Sequence, residues 1–375
     1  MKKKILIIVG TRPEAIKVAP LYHEFKRNGN FDVVVGLTGQ HKELIYQALD
    51  FFQIKPDFDL QLMTENQSLN TLLSKVIVGI DNALIDIRPD FILVQGDTTT
   101  VFGASIAAFH QKIKVIHLEA GLRSFDKYSP FPEEMNRLLT SSIADIHLAP
   151  TDTAADNLHR EGITKGVHIV GNTVIDALFL GLENIENSSI RSEIESYFSF
   201  LDKDKKTVLM TCHRRENFGD ALLDIVAAVK EIASEFSDSL QICFPVHPNP
   251  NVKNVVHEQL GNLKNVFLIE PLSYPYLIWL MNKSYFILTD SGGIQEEAPS
   301  LKKPVLVLRE KTERTEGIEH GNAMLLGSSK HAIVENAQKL MQDESFYDSF
   351  SLKPNPYGDG KSCEIICRLM NETYV

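Results

Sequence analysis

The sequence predicts an α/β protein built from two doubly wound, Rossmann-like domains. Three observations carry that prediction. At 375 residues the chain exceeds the size at which a single hydrophobic core usually stops growing, so two domains are the default. Short apolar runs alternate with amphipathic stretches almost from end to end, and runs apolar on both faces between helical patterns mean parallel sheets in βα units. The rhythm occurs twice, with a polar stretch between the two halves.

In the first half KILIIVG (4–10), DVVVGL (32–37), DFILVQ (90–95), KVIHLE (114–119), DIHLAP (145–150) and VHIVG (167–171) read as buried strands. In the second, TVLMTC (207–212), QICFPV (241–246), NVFLIE (265–270), YFILTD (285–290), PVLVL (304–308) and AMLL (323–326) repeat the pattern. The segment 181–206 is polar, charged and without a strand signal, so it reads as the connection. The boundary is expected near 172, giving domains 1–171 and 172–355, with a terminal helix in 356–375 packing back on the first.

Composition narrows the surroundings. With 43% hydrophobic and 23% charged residues the chain reads as an ordinary globular protein. A net charge of −11 disfavours nucleic-acid and anionic-membrane surfaces, so any phosphate site must be built locally. The opening MKKKILIIVG has an apolar run too short for a signal peptide, and nothing approaches the roughly 18 apolar residues of a membrane span. Cysteines 212, 243, 363 and 367 lack zinc-like spacing and read as reduced thiols of a cytoplasmic protein.

In open parallel sheets, ligands bind beyond the carboxyl ends of the strands. There the chain offers Gly10-Thr11-Arg12-Pro13-Glu14 with Lys17 a turn later, Gly96-Asp97 before three threonines, and Glu119-Ala120-Gly121. The second half offers His213-Arg214-Arg215, His247-Pro248 and Asp290-Ser291-Gly292-Gly293. With the two domains facing, these would line one cleft. Asp97 also reads as a helix N-cap, and His247 as a loop residue. Glu119 ends a buried strand, where a carboxylate must be paired or functional. His213, Arg214 and Arg215 read as an anion cradle.

In TDSGGIQEEAP (289–299), Ser291-Gly292-Gly293 suit a helix start with outward N–H groups, and Glu296 and Glu297 follow about a turn later. Phosphate at one end and hydroxyls near a carboxylate describe a nucleotide, although acidic residues there also complement the helix dipole. No dinucleotide fingerprint or P-loop is present. Asp57-Phe58-Asp59 and Asp202-Lys203-Asp204 spell D-x-D, the first in a turn-like segment and the second in the connection. Both read as chance matches.

The chain closely resembles the non-hydrolysing UDP-N-acetylglucosamine 2-epimerases of bacteria. The similarity runs through GTRPEAIK (10–17), QGDTTT (95–100), EAGLRS (119–124), SPFPEEMNR (129–137), GNTVIDAL (171–178), HRREN (213–217), TDSGGIQEEAP (289–299) and TERTEGIE (312–319). The resemblance implies the GT-B architecture, two Rossmann-like domains facing across a cleft, and a homodimer using no cofactor and no metal. It implies UDP phosphates at Ser291, Gly292 and Gly293, ribose hydroxyls at Glu297, and Arg12, Lys17, His213, Arg214 and Arg314 near the diphosphate. It assigns catalysis to Asp97, Glu119 and Glu133 with His213. It puts the base near Leu277, with the Leu272 backbone and Tyr274 or Tyr276 as substitute contacts. Leu277 stands where some relatives carry phenylalanine, and Thr315 follows Arg314 where proline is more usual. Some relatives bind a second UDP-N-acetylglucosamine as activator, at positions matching Gln40, Glu43, Glu133, Arg215 and His247.

The implied reaction inverts C2 of the sugar: a base removes the C2 proton as UDP leaves C1, and UDP re-adds after protonation on the other face. Carboxylates at the sugar and cations at the diphosphate are what this route needs. Three clustered carboxylates are expected to raise one another's proton affinity. The implied product supplies surface polysaccharide synthesis. A GT-B glycosyltransferase, a hydrolysing epimerase and a silent UDP-sugar sensor are the rival readings. Relatives of the hydrolysing kind usually lack the proline of GTRPEAIK, here Pro13.

Overall fold

A computed structural model describes residues 2–374 apart from Gln40, His41 and Glu65; the side chains of Lys42, Glu43 and Arg215 also lie outside what it describes. The chain divides into two compact units, Met1–Leu180 with Tyr357–Val375 and Gly181–Pro356.

The first unit holds seven strands, β1 (Lys3–Val9), β2 (Phe31–Leu37), β3 (Phe58–Asp59), β4 (Phe91–Gln95), β5 (Lys114–Leu118), β6 (Ile146–Ala149) and β7 (Val167–Ile169). They form one parallel sheet in the order β3-β2-β1-β4-β5-β6-β7. The order reverses between β1 and β4, which opens a crevice beyond their carboxyl ends. The central strands are buried on both faces: Ile5 to Val9 and Ile92 to Val94 are at most 1% exposed, as apolar side chains on both sides of a parallel strand require. Helices Leu69–Ile87 and Thr99–His110 cover one face through Leu72, Val76, Ile80, Val101 and Ala104. The helix Ser362–Tyr374 belongs to this unit, where Asp176 Oδ1 accepts the Cys363 N–H at 2.8 Å and Asn30 donates to Asn371 at 3.0 Å.

The second unit holds β8 (Lys206–Thr211), β9 (Leu240–Pro245), β10 (Val266–Ile269), β11 (Phe286–Thr289), β12 (Val305–Val307) and β13 (Ala323–Leu325). Their order β10-β9-β8-β11-β12-β13, again parallel, reverses between β8 and β11. Thr211 lies opposite Thr289 in the register, and their hydroxyls meet at 2.6 Å, so the loops after β8 and β11 leave the sheet side by side.

Two expectations change, and the connection gains detail. The division falls after Leu180, inside the helix Thr173–Glu186, later than 171/172, because that helix begins within the first unit. The connecting segment is helical over Ile190–Tyr197, where Ile194 is buried and the following Phe198 stacks on Trp279 at 5.0 Å. Asp57-Phe58-Asp59 contains β3 instead of a plain turn: Asp57 Oδ2 accepts the Val35 N–H at 2.7 Å, and the Phe58 ring lies over Gly36.

Candidate functional site

In the first unit the groups gather beyond β1, β4 and β5. Gly10 ends β1, and a side chain there would meet Thr100 Oγ1 at 2.4 Å, so glycine lets the loop lie against the helix after β4. The next helix, Arg12–Asn28, carries Arg12, Glu14 and Lys17 in its first two turns. Lys17 Nζ donates to Glu119 Oε1 at 2.6 Å and Oε2 at 2.7 Å, and Gln95 Nε2 also donates to Glu119. Glu119 is 9% exposed and holds φ at 65°, a left-handed backbone uncommon outside glycine and typical of sites where surrounding contacts over-determine one residue.

Asp97 is not the helix cap. That part falls to Thr98, whose hydroxyl accepts the Val101 N–H. The Asp97 carboxylate instead binds Arg137, with Oδ2 taking Nε at 2.8 Å and Nη2 at 2.7 Å, while Asn136 donates to its backbone carbonyl at 2.9 Å. Arg137 also meets Glu134 at 2.9 Å. Burial would weaken the guanidinium's hold on its proton, but Asp97 and Glu134 outweigh it and raise its pKa. Glu134 is 1% exposed and accepts the N–H groups of Ser124 and Phe125, anchoring the loop before its own helix. Glu133 begins that helix half-buried. Asp97 and Glu119 each meet a cation, Arg137 and Lys17. Burial pushes the Glu14 carboxyl up to about 7. His117, pressed by burial down to about 4, is neutral and lies 2.7 Å from the Gly96 carbonyl, supporting the loop before Asp97.

In the second unit Asp290 organises the loops after β8 and β11. Fully buried, its Oδ2 accepts the N–H of His213 at 2.8 Å, that of Arg214 at 2.7 Å and the Asn217 amide at 3.0 Å. His213 Nδ1 stands 3.0 Å from Oδ1, out of line for a good hydrogen bond. Burial alone would raise the Asp290 carboxyl, yet His213 and these N–H donors hold it below the usual range. Arg214 Nε is buried without a hydrogen-bond partner among the described residues, a donor that an anion would satisfy. Ser291 caps the short helix Gly292–Glu297 and contributes no side-chain bond, with Gly292 buried and Gly293 half-buried. The Arg314 guanidinium crosses 3.1 Å from where a Gly292 side chain would begin and pairs with Glu296 at 2.8 Å.

Glu297 accepts the Tyr274 hydroxyl at 2.8 Å. Burial and that carboxylate hold the phenol well above its ordinary pKa, so Tyr274 is a partner of Glu297 and not a free base contact. Tyr276 packs edge-on to Tyr197 at 5.3 Å. Leu272 and Leu277 are half-buried. His247 is exposed and stacks on His213 at 6.2 Å. Of the remaining second-site positions, Gln40 and the side chains of Glu43 and Arg215 lie outside the described residues.

Sequence reasoning missed Gln95, Asn136 and Arg137 as partners, and Asp290 as an organiser. Asn136 and Arg137 follow Glu133 at helical spacings of three and four, the one signal that could have placed them on a shared face. Among the described residues no group of three or more His, Cys, Asp or Glu could hold a metal, and no helix is long and apolar enough to cross a membrane. The four cysteines are buried and unpaired.

Comparison with known proteins adds the following. A family model described as UDP-N-acetylglucosamine 2-epimerase matches residues 23–371. A UDP-N-acetylglucosamine 2-epimerase of Salmonella borreze is 51% identical over 97% of this chain and 97% of its own length. The crystal structure of UDP-GlcNAc 2-epimerase from Neisseria meningitidis bound to UDP-GlcNAc superposes with a TM-score of 0.91 at 44% identity, covering 99% of this chain and 100% of that one. That of Methanocaldococcus jannaschii in complex with UDP-GlcNAc and UDP matches at 0.81 and 34% identity, over 98% of this chain and 99% of that one. The fold is thus the GT-B-like pair of Rossmann-like domains.

Proposed function

The chain belongs to the UDP-N-acetylglucosamine 2-epimerase family, and from that premise we propose that it interconverts UDP-N-acetylglucosamine and UDP-N-acetylmannosamine without hydrolysis, by eliminating UDP to a 2-acetamidoglucal and re-adding it. The observation that supports this most is the pairing of Asp97 with Arg137 and of Glu119 with Lys17 at the carboxyl ends of the neighbouring strands β4 and β5. Abstracting a proton from carbon needs a carboxylate held in one place, and a buried cation beside each supplies that preorganisation.

In this reading the first unit contributes Asp97, Glu119 and Glu133 to the sugar, with Arg12 for the leaving diphosphate. Lys17 serves chiefly by fixing Glu119. The second unit holds UDP: His213, Arg214 and Arg314 meet the diphosphate with the N–H groups of the Ser291–Gly293 turn, Glu297 takes the ribose hydroxyls, and Leu272 and Leu277 flank the base. The orphaned Arg214 Nε is the donor best explained by a phosphate oxygen. No metal or cofactor takes part. The protein acts in the cytoplasm as a homodimer, and the exposed apolar side chains Val78, Ile85 and Phe109 on two helices of the first unit suit a subunit contact. The product feeds surface polysaccharide synthesis.

Incubation of the pure protein with UDP-N-acetylglucosamine alone, followed by proton NMR, tests the proposal. It predicts UDP-N-acetylmannosamine at equilibrium with substrate. Free N-acetylmannosamine with UDP would identify a hydrolysing epimerase, turnover dependent on an added acceptor a glycosyltransferase, and binding without turnover a sensor.

A further inference from the structure

Glu14 has no part in the reading above, although it is 2% exposed in the first turn of the helix Arg12–Asn28. A glutamate at this position ordinarily reaches back from the surface to the cap residue's N–H. Here the Thr11 side chain caps nothing, and the Glu14 carboxyl accepts the Thr11 N–H together with the Gly10 N–H at 2.5 Å and the Thr11 hydroxyl at 3.1 Å. Capping alone does not call for burial. A further partner explains it: the hydroxyl of Thr98, which caps the helix Thr99–His110 beyond β4.

One carboxyl therefore ties together the starts of two helices on either side of the β1/β4 reversal. The first carries Arg12 and Lys17; β4 ends in Gln95 and the loop leading to the second helix carries Asp97, and Lys17 and Gln95 both reach Glu119. Gly10 against Thr100 shows how closely the two loops pack. The partners of Glu14 are backbone N–H groups and hydroxyls, which favour its ionised form, while burial, the larger influence, raises its pKa.

We propose that Glu14 is a positioning residue that locks the β1 and β4 loops together and thereby sets Arg12, Lys17 and Asp97 for the epimerisation. The kinetic readout rests on the epimerase reading; the locking does not.

The test compares Glu14→Ala, Glu14→Gln, Thr98→Val and Thr98→Ser in the full chain, each well below its melting midpoint. Two readouts are taken: kcat and KM for UDP-N-acetylglucosamine, and amide exchange of segments 10–17 and 96–101. Glu14→Ala and Thr98→Val are expected to lower kcat about tenfold or more with little change in KM, because small misplacements of catalytic groups are costly. Exchange should rise in both segments together. Glu14→Gln, which keeps an acceptor for the Gly10 N–H, and Thr98→Ser, which keeps the hydroxyl, should stay within about threefold of wild type on that same criterion. Should Glu14→Ala fail to fold, Thr98→Val decides, since it leaves the bond to Gly10 in place. Wild-type kcat in Glu14→Ala or Thr98→Val, exchange confined to one segment, or a Gln variant as impaired as the Ala variant overturns the proposal. An inactive wild type would defeat the epimerase reading instead, with exchange still deciding the lock.

Discussion

Replacing Glu14 by glutamine should stabilise the protein at pH 8 and leave it nearly unchanged at pH 4. The carboxyl is buried and its pKa stands at about 7, against an ordinary value of 4.5. Between those values the folded state retains a proton that the unfolded chain has released, so stability falls as pH rises through this window. The penalty is absent below pH 4.5 and complete above about 7. At about 1.4 kcal/mol per pKa unit, the full effect is about 3 kcal/mol, an upper figure because the opened site can admit water. Glutamine keeps the acceptor for the Gly10 N–H and cannot ionise, so it removes the penalty. The assay is urea unfolding of wild type and Glu14→Gln, followed by far-UV circular dichroism at several pH values from 4 to 8. Taking the difference between the two proteins cancels His117 and His147, which burial lowers to about 4 and which weaken the fold in the opposite direction, as pH falls from 6.5. A difference that does not change with pH, or one that grows toward acid, would refute the reasoning.

Three further outcomes are expected. Asp97→Asn, Glu119→Gln and Glu133→Gln should each lower turnover about a hundredfold while leaving UDP binding, measured by calorimetry, largely intact; near-normal turnover in all three would remove the carboxylates from the chemistry. Lys17→Met should cost about 3 kcal/mol in urea unfolding, because it removes the cation that pairs with the buried Glu119, and adding Glu119→Gln should recover much of the loss. UDP-N-acetylmannosamine supplied alone should react after a lag that traces of UDP-N-acetylglucosamine abolish, if a second molecule activates the enzyme; immediate full-rate conversion, with His247→Ala behaving like wild type, would exclude that site.

Long apolar runs made the strands legible. Ile5 to Val9 or Phe286 to Leu288 fit poorly anywhere but a sheet covered on both faces. β3 was not legible because its two residues, Phe58 and Asp59, carry no run, and their pairing with Gly36 and Leu37 is a tertiary fact. The strand-end rule found Asp97, Glu119, His213 and Ser291 because β–α loops place polar residues there whatever the ligand. Their partners were hidden by chain distance: Arg137 lies 40 residues from Asp97, and Lys17 lies 102 from Glu119. Tyr274 read as a contact for the base, since nothing in its neighbourhood along the chain announces Glu297, 23 residues away. Glu14 sat inside a recognised motif with no role of its own, because local sequence does not reveal burial.

The most direct measurement of the central claim is the reaction run in D2O with UDP-N-acetylglucosamine as the one added compound, stopped early and read by NMR and mass spectrometry. The account predicts UDP-N-acetylmannosamine carrying deuterium at C2, with UDP still attached and no free amino sugar, since the C2 proton leaves to a carboxylate and returns from solvent. Product that keeps its original hydrogen at C2, or free N-acetylmannosamine in place of the nucleotide sugar, would contradict it.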